Sequence, residues 1–198
     1  MNAMAELSDK RPPAPAPLDL VQAFINTADR ETGSDVLATP QSLRAWFLDH
    51  RLISRTASVG DKDRSQAIKL REALRRATRA NSDSTIDGRT IRELNQLALK
   101  ARLVVAFVDG RAARLDPSAT GPDAGLARII AAVFVAMLTG RWSRLKSCGN
   151  DSCQWAFYDA SKNRSGRWCE MADCGNDAKG RAYRARRRAV AGTRSSSH

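Results

Sequence analysis

Every cysteine in the chain lies between Cys148 and Cys174, in the order Cys148-x4-Cys153-x15-Cys169-x4-Cys174. Two close pairs joined by a loop of this length are a common way to assemble one tetrahedral metal site. Zinc suits four thiolates, because its filled d-shell imposes no geometry of its own and it binds soft sulfur well. A catalytic zinc keeps one position open for water, and four sulfurs leave none. The expected cofactor is therefore one structural Zn2+ held by Cys148, Cys153, Cys169 and Cys174. Two disulfides would suit a secreted chain, but nothing here reads as a secretion signal. An iron–sulfur cluster also takes four cysteines, and spacing alone leaves it open.

The tetrapeptide Cys-Gly-Asn-Asp occurs twice, at 148–151 and 174–177. The doubling predicts two metal-gripping turns. Glycine after a ligand takes a positive φ without steric cost, and such a turn aims backbone N–H groups at the sulfur. Asparagine suits the end of the turn, either in the left-handed region or bonded back to the backbone. Asp177 precedes a helix-forming run and favours its positive N-terminus. Between the pairs, QWAFYD is expected to pair antiparallel with SGRWC, and Trp155 and Trp168 to pack the finger rather than stack on bases. A finger this small needs its metal to hold it.

Directly after Cys174 comes GNDAKGRAYRARRRAVAG, rich in good helix formers. Arg181, Arg184 and Arg188 share one face at helical spacing, Arg186 and Arg187 widen it, and Ala178, Ala182, Ala185 and Ala189 form a small-residue stripe that could rest on the finger. The chain carries 33 Lys and Arg against 21 Asp and Glu, a net of +12. Residues 141–198 hold 13 of those basic and 5 of those acidic residues, so two thirds of the excess sits beside the cysteines. A basic helix anchored to a rigid site predicts polyanion binding, and arginine's fork suits phosphate oxygens and guanine edges. Lys179, Arg181, Arg184, Arg187 and Arg188 are the candidate nucleic-acid contacts. DNA is the expected partner. A protein partner of the transcription machinery, or structured RNA, is the alternative.

Periodicity upstream predicts the elements that carry this unit. Residues 18–28 place apolar side chains on one helix face. Thr39 caps a second helix with Pro40 at its first position, burying Leu43, Trp46 and Phe47. A third helix spans 62–80, with Ile68, Leu70 and Leu74 inside and a line of arginines outside. Asp87 caps a fourth carrying Ile91, Leu94 and Leu97. Asp109-Gly110 marks a hairpin tip, and a long buried helix opens at Pro122 and stops at Gly140. Asn26 and Thr27 are expected to cap the first helix. The fold class is α+β, mainly α: a helical N-terminal domain with a small β-hairpin, then a small treble-clef or ribbon-like zinc finger ending in a basic helix. The expected divisions are a Pro-rich disordered arm at 1–17, the helical domain at 18–140, the finger and helix at 141–191 and a disordered tail at 192–198. The apolar run 129–138 is about half the length of a membrane span. Together with the reduced cysteines this predicts a cytoplasmic protein with no membrane partner. No phosphate loop, paired carboxylates or nucleophile–base pair is visible, and His50 and His198 lie far from the cysteines, so no enzyme is expected and no catalytic residue is assigned.

The run C-x4-C-Q-W-A-F-Y-D-x-S-K-N, with Arg167-Trp168-Cys169, Cys174-Gly175-Asn176 and the basic helix behind it, resembles the CGNR zinc-finger family of bacterial proteins over about 145–188. In that family the finger usually follows a domain called ABATE, regarded as a stress-induced transcription regulator. LDLVQAFINTAD and LATPQSLRAWF resemble that domain's opening. The resemblance implies zinc on the same four cysteines, a DNA-binding role and an N-terminal sensing module, with a small-molecule effector and a homodimer as further expectations. One departure stands out: Asp177 follows Cys-Gly-Asn where the family name has arginine. It removes one phosphate contact and adds a repulsive charge, leaving the ligands untouched.

Overall fold

The computed structural model describes residues 13–83, 85–181, 183–184 and 187. The first twelve residues of the expected arm and the whole expected tail lie outside them. The packed chain begins ahead of Leu18. Ala14 is buried, and its N–H donates to Oε1 of Gln22 at 2.7 Å.

Helix α1 (Leu18–Ile25) buries Leu18, Val21, Phe24 and Ile25 on the expected face. It stops at Ile25 rather than Ala28, because Ala28 pairs in an isolated β-bridge with Asp35. Helix α2 (Pro40–Asp49) opens on a reciprocal cap between Thr39 and Ser42 with Pro40 at the first position, and buries Leu43, Trp46 and Phe47. Start and buried face both stand as expected, since each depends on residues within a turn or two.

Helix α3 (Asp61–Asp83) is the spine of the molecule. Its arginines do not all face outward as expected. Arg71 and Arg75 are only 4% and 2% exposed. The fork of Arg71 lies on the Asp35 carboxylate at 2.7 and 2.9 Å. Arg75 donates to the carbonyls of Ile25 and Ala28 at 2.6 and 3.1 Å. It thus satisfies the Ile25 carbonyl that the end of α1 leaves without an intrahelical partner, and the Ala28 carbonyl just beyond it. Glu72 pairs with Arg30, Arg71 and Arg75. Burial alone would raise the Glu72 pKa, but these guanidiniums hold the carboxyl below its usual range.

Helix α4 (Gly88–Ala101) is capped by Asp87, whose side chain accepts from the Thr90 N–H at 2.8 Å. Strands β1 (Leu103–Phe107) and β2 (Ala113–Pro117) form the expected antiparallel hairpin around Asp109-Gly110. Helix α5 (Gly121–Leu138) follows, and Gly140 ends its turn at φ +67°. By length and composition α5 as a whole could cross a membrane, with a mean hydropathy of 1.6 over 18 residues, although its most apolar run is shorter. Nine of its residues are buried in the protein core.

A second hairpin, β3 (Leu145–Ser147) with β4 (Ala156–Tyr158), lies against α1 and α3. It takes the place of the expected pairing between QWAFYD and SGRWC. Residues 164–168 form no strand, and Arg167 O accepts from the Gly149 N–H of the first cysteine turn at 2.8 Å. Leu145 and Ala156 belong to the same buried cluster as α1, α2, α3 and α5. The polar seams are equally close. Asn26 is not simply a cap: its Nδ2 donates to Ala156 O at 2.9 Å, and its Oδ1 accepts from Ala156 N–H at 2.7 Å. A side-chain amide here replaces a neighbouring strand. Thr27 does bond back, its hydroxyl donating to Phe24 O at 2.7 Å. Thr78 and Ser147 share a hydroxyl bond of 2.7 Å, and Asn81 donates to Leu145 O at 2.8 Å.

Asn26→Ala strands the buried Ala156 N–H and leaves its C=O with a long 3.4 Å bond from Gln22 Nε2, so it should cost about 1–3 kcal/mol. Urea unfolding of the metal-loaded chain measures this. An unchanged midpoint would show that the amide pair carries no weight.

Candidate metal centre

The four cysteines converge although Cys148 and Cys174 are far apart in sequence. All four Sγ atoms lie within 4.8 Å of one another, and all four residues are buried. Cys153 and Cys169 sulfurs are 3.6 Å apart, and Cys169 and Cys174 sulfurs 3.8 Å. Zinc–sulfur bonds of about 2.3 Å in a tetrahedron set sulfurs about 3.8 Å apart. The thiols are free rather than paired as disulfides. Their spacing leaves room for a single ion, not for a multi-iron cage.

Three local structures bring the sulfurs together. Cys148 leaves the end of β3, and the chain turns back so that Cys153 and Gln154 N–H both donate to Asn150 O at 3.0 Å. Cys169 comes off the long connecting loop. Cys174 lies in a widened helical turn (Met171–Gly175) that runs directly into α-helix at 176–181, continuing at 183, 184 and 187. It therefore sits at the head of a helix, where the dipole favours a thiolate.

Taken alone, the sulfurs oppose one another's ionisation. Hydrogen bonds from the Cys153 and Cys169 thiols hold Cys148 down at about 2, helped by the backbone N–H groups of Cys169 and Asn150. Cys148 in turn pushes Cys153 up to about 12 and raises Cys169, while burial raises Cys174. A divalent cation at the centre removes this conflict for all four at once. The donor set fits one structural zinc ion.

The glycines of the repeat have a different purpose from the one expected. Neither Gly149 nor Gly175 takes a positive φ. Gly149 makes way for the Trp168 indole, while Gly175 makes way first for the Met171 thioether and then for the same indole. A Cβ on Gly149 would stand 3.0 Å from Trp168 Cζ3, and one on Gly175 would stand 3.3 Å from Trp168 Cδ1. Trp155 and Trp168 are partly buried against the cysteine cluster, as packing residues should be. The two asparagines also differ. Asn150 is buried, donates towards Cys174 Sγ at 3.7 Å, and accepts from Ser152 and from Arg181 at 3.2 Å. It ties the first turn to the last ligand and to the helix behind it. Asn176 bonds locally to Ala172 O at 2.8 Å.

Periodicity missed the support beneath the long loop. Lys146 Nζ donates to Asp159 Oδ2 at 3.0 Å and to Gly166 O at 3.2 Å, and also to Arg164 O. Asp159 further accepts from the Gly166 and Ser161 N–H groups at 2.7 and 3.1 Å. Burial alone would raise its pKa, but the bonds from Ser161, Lys146 and Gly166 outweigh that and hold it well below the usual carboxylate range. An alternating strand offers no signal that its next residue will carry a buried ion pair.

Of the expected nucleic-acid contacts, Lys179, Arg181, Arg184 and Arg187 are exposed on the C-terminal helix, and Arg188 lies outside the described residues. Arg181 is partly spent on Asn150, and the Arg187 guanidinium sits 5.9 Å from the Tyr183 ring centroid. Ala178 is half-buried, while the other three alanines of the stripe lie outside the described residues.

Two family models match the chain. One is the CGNR zinc finger, over residues 144–187. The other is ABATE, described as "Putative stress-induced transcription regulator", over residues 18–141. No curated protein matches.

Cys169→Ser should remove bound zinc, read as about one equivalent lost per chain in a metal assay. Gly149→Ala forces the Trp168 ring to move and should cost about 1–3 kcal/mol, read as a lower thermal midpoint. Asp159 stabilises the folded chain fully above its unfolded pKa, and that contribution is lost as pH falls below about 4. Asp159→Asn should therefore show a shallower loss of stability on acidification than the native chain, by denaturant titration at stepped pH.

Proposed function

The chain belongs to the ABATE family and carries a CGNR zinc finger, and on that footing we propose that it is a DNA-binding transcription regulator whose four-cysteine finger presents an arginine-rich helix to the duplex. Neither family is a family of enzymes, and we read the chain as a non-enzymatic, cytoplasmic regulator.

The observation that carries the reading is the anchorage of the basic helix. Its head is a zinc ligand, Cys174, and Arg181 binds it again to Asn150 in the first turn. Among the described residues Lys179, Arg184 and Arg187 form no ion pair, and the Arg187 guanidinium lies over the Tyr183 ring. Charges held on a rigid support and left without carboxylate partners suit a polyanion. Asp177 is exposed in the first turn of that helix, where it favours the dipole and stands about two turns or more from Arg184 and Arg187. Its cost to phosphate binding falls on the helix head.

The helical unit is the sensing part of this proposal. The finger is fastened to it by Asn26, Thr78, Asn81 and Arg75, the last through a 3.0 Å bond to Gln154 O. A change in α1 or α3 would reach the finger through direct contacts.

Duplex binding of the zinc-loaded chain, measured by fluorescence anisotropy, should weaken with salt along a log–log slope of roughly −4 to −5. Arg184→Ala and Arg187→Ala should each flatten that slope by about one unit. A flat salt response would remove the proposal. Loss of a protein partner in pull-down, with duplex affinity unchanged, would favour an adaptor instead.

A further inference from the structure

A groove of about 600 Å³ runs between the N-terminal half of α3 and helix α4. Lys69 lines it from α3, and Arg89, Arg92 and Lys100 line it from α4, with Leu97 and Leu99 among its apolar lining. A narrower cleft shares Leu97 and Lys100 with it and is lined by Leu70, Leu126 and Ile130, with Asp123 as its carboxylate.

The cations of this groove differ from their neighbours. Arg30, Arg44, Arg64, Arg71, Arg75 and Arg76 all donate to carboxylates, hydroxyls or carbonyls of the fold. Lys69, Arg89, Arg92 and Lys100 make no side-chain hydrogen bond or ion pair among the described residues. The groove's own carboxylate, Glu93, is already paired with Arg76. Arg89 and Arg92 are also wrongly signed for their place. They stand in the opening turns of α4, at the positive end of its dipole, and the first turn holds no acidic residue beyond the capping Asp87. Arg89 and Arg92 repel one another and the positive helix N-terminus in the free protein, while Lys100 stands in the last turn of α4. Negative charge entering the groove would relieve all of these repulsions together.

We propose that this groove binds a multiply charged phosphorylated small molecule, with phosphates on Lys69, Arg89, Arg92 and Lys100 and an apolar moiety against Leu97. The volume lies within the range of small-molecule sites. The four cations line one recess rather than an open face of the protein. The connection onward is short. Arg76 holds the start of α4 through Thr90 and Glu93, and two residues further along α3, Thr78 holds Ser147 of the finger. The proposal gives a ligand class to the sensing role above and rests on that reading for its regulatory meaning, but binding itself is tested without DNA.

Inorganic tripolyphosphate is the probe, titrated into the zinc-loaded full chain by calorimetry at constant ionic strength. Binding at one site is expected, with affinity about tenfold weaker in Lys69→Ala and in Arg92→Ala, because each removes a charge-assisted contact. Both residues are exposed, so circular dichroism should confirm an unchanged fold. Arg184→Ala should bind the probe as the native chain does. Equal affinity in all variants, or loss confined to Arg184→Ala, would overturn the proposal. So would Arg92→Ala weakening duplex binding as much as probe binding, since the groove would then belong to the nucleic-acid surface. A chain that binds tripolyphosphate but no duplex would uphold the groove and sink the DNA reading.

Discussion

Four buried sulfurs within 4.8 Å of one another impose the constraint on which the rest of this protein depends. They cannot all ionise unless a cation stands among them, and a divalent ion then binds three otherwise separate pieces of chain: a turn, a loop and a helix head. The surrounding residues serve that convergence. Trp168 lies against both glycines of the repeated tetrapeptide, Asn150 reaches from the first turn to the last ligand, and Lys146 with Asp159 supports the loop that delivers Cys169. The basic helix inherits its direction from this arrangement, because Cys174 is its first fixed point and Arg181 its second.

The finger is not a bead on a linker. Its hairpin completes the core of the helical unit, and Ala156 exchanges with the Asn26 amide the pair of hydrogen bonds that a neighbouring strand would otherwise make, its N–H donating and its C=O accepting. Arg75 carries a buried charge through the same interface, satisfying the end of α1 and the turn after Cys153 together. A buried guanidinium gains stability only where its donors are well matched, and its stronger effect is to allow one arrangement of the surrounding backbone. Two families of sequence therefore meet in one continuous packing unit, and the orientation of the arginine helix relative to α3 is set by contact rather than by linker length.

Some elements were legible because their signals are local. Thr39-Pro40, Asp87 and Asp109-Gly110 each act on backbone groups within a few residues, and each stands where expected. The misreadings share the opposite cause. Helical periodicity placed the arginines of α3 outside, since it registers polarity and not the presence of orphan carbonyls waiting across the core. Asn26 read as a cap because a helix end is adjacent to it, while its partner Ala156 is 130 residues away. Glycine after cysteine suggested a positive φ, but the reason was crowding from the second half of the finger, by Trp168 at Gly149 and chiefly by Met171 at Gly175.

The amino-acid sequence by itself determined the four-thiol donor set and the concentration of positive charge behind it. Residue type and short-range spacing decide those properties whatever surrounds them. Only the tertiary structure decided which arginines are spent inside the fold and which remain free, and which strand accompanies the first cysteine. It also decided that finger and helices share one core. Those outcomes depend on pairs distant along the chain, and a buried donor finds its acceptor only once packing has brought the two together.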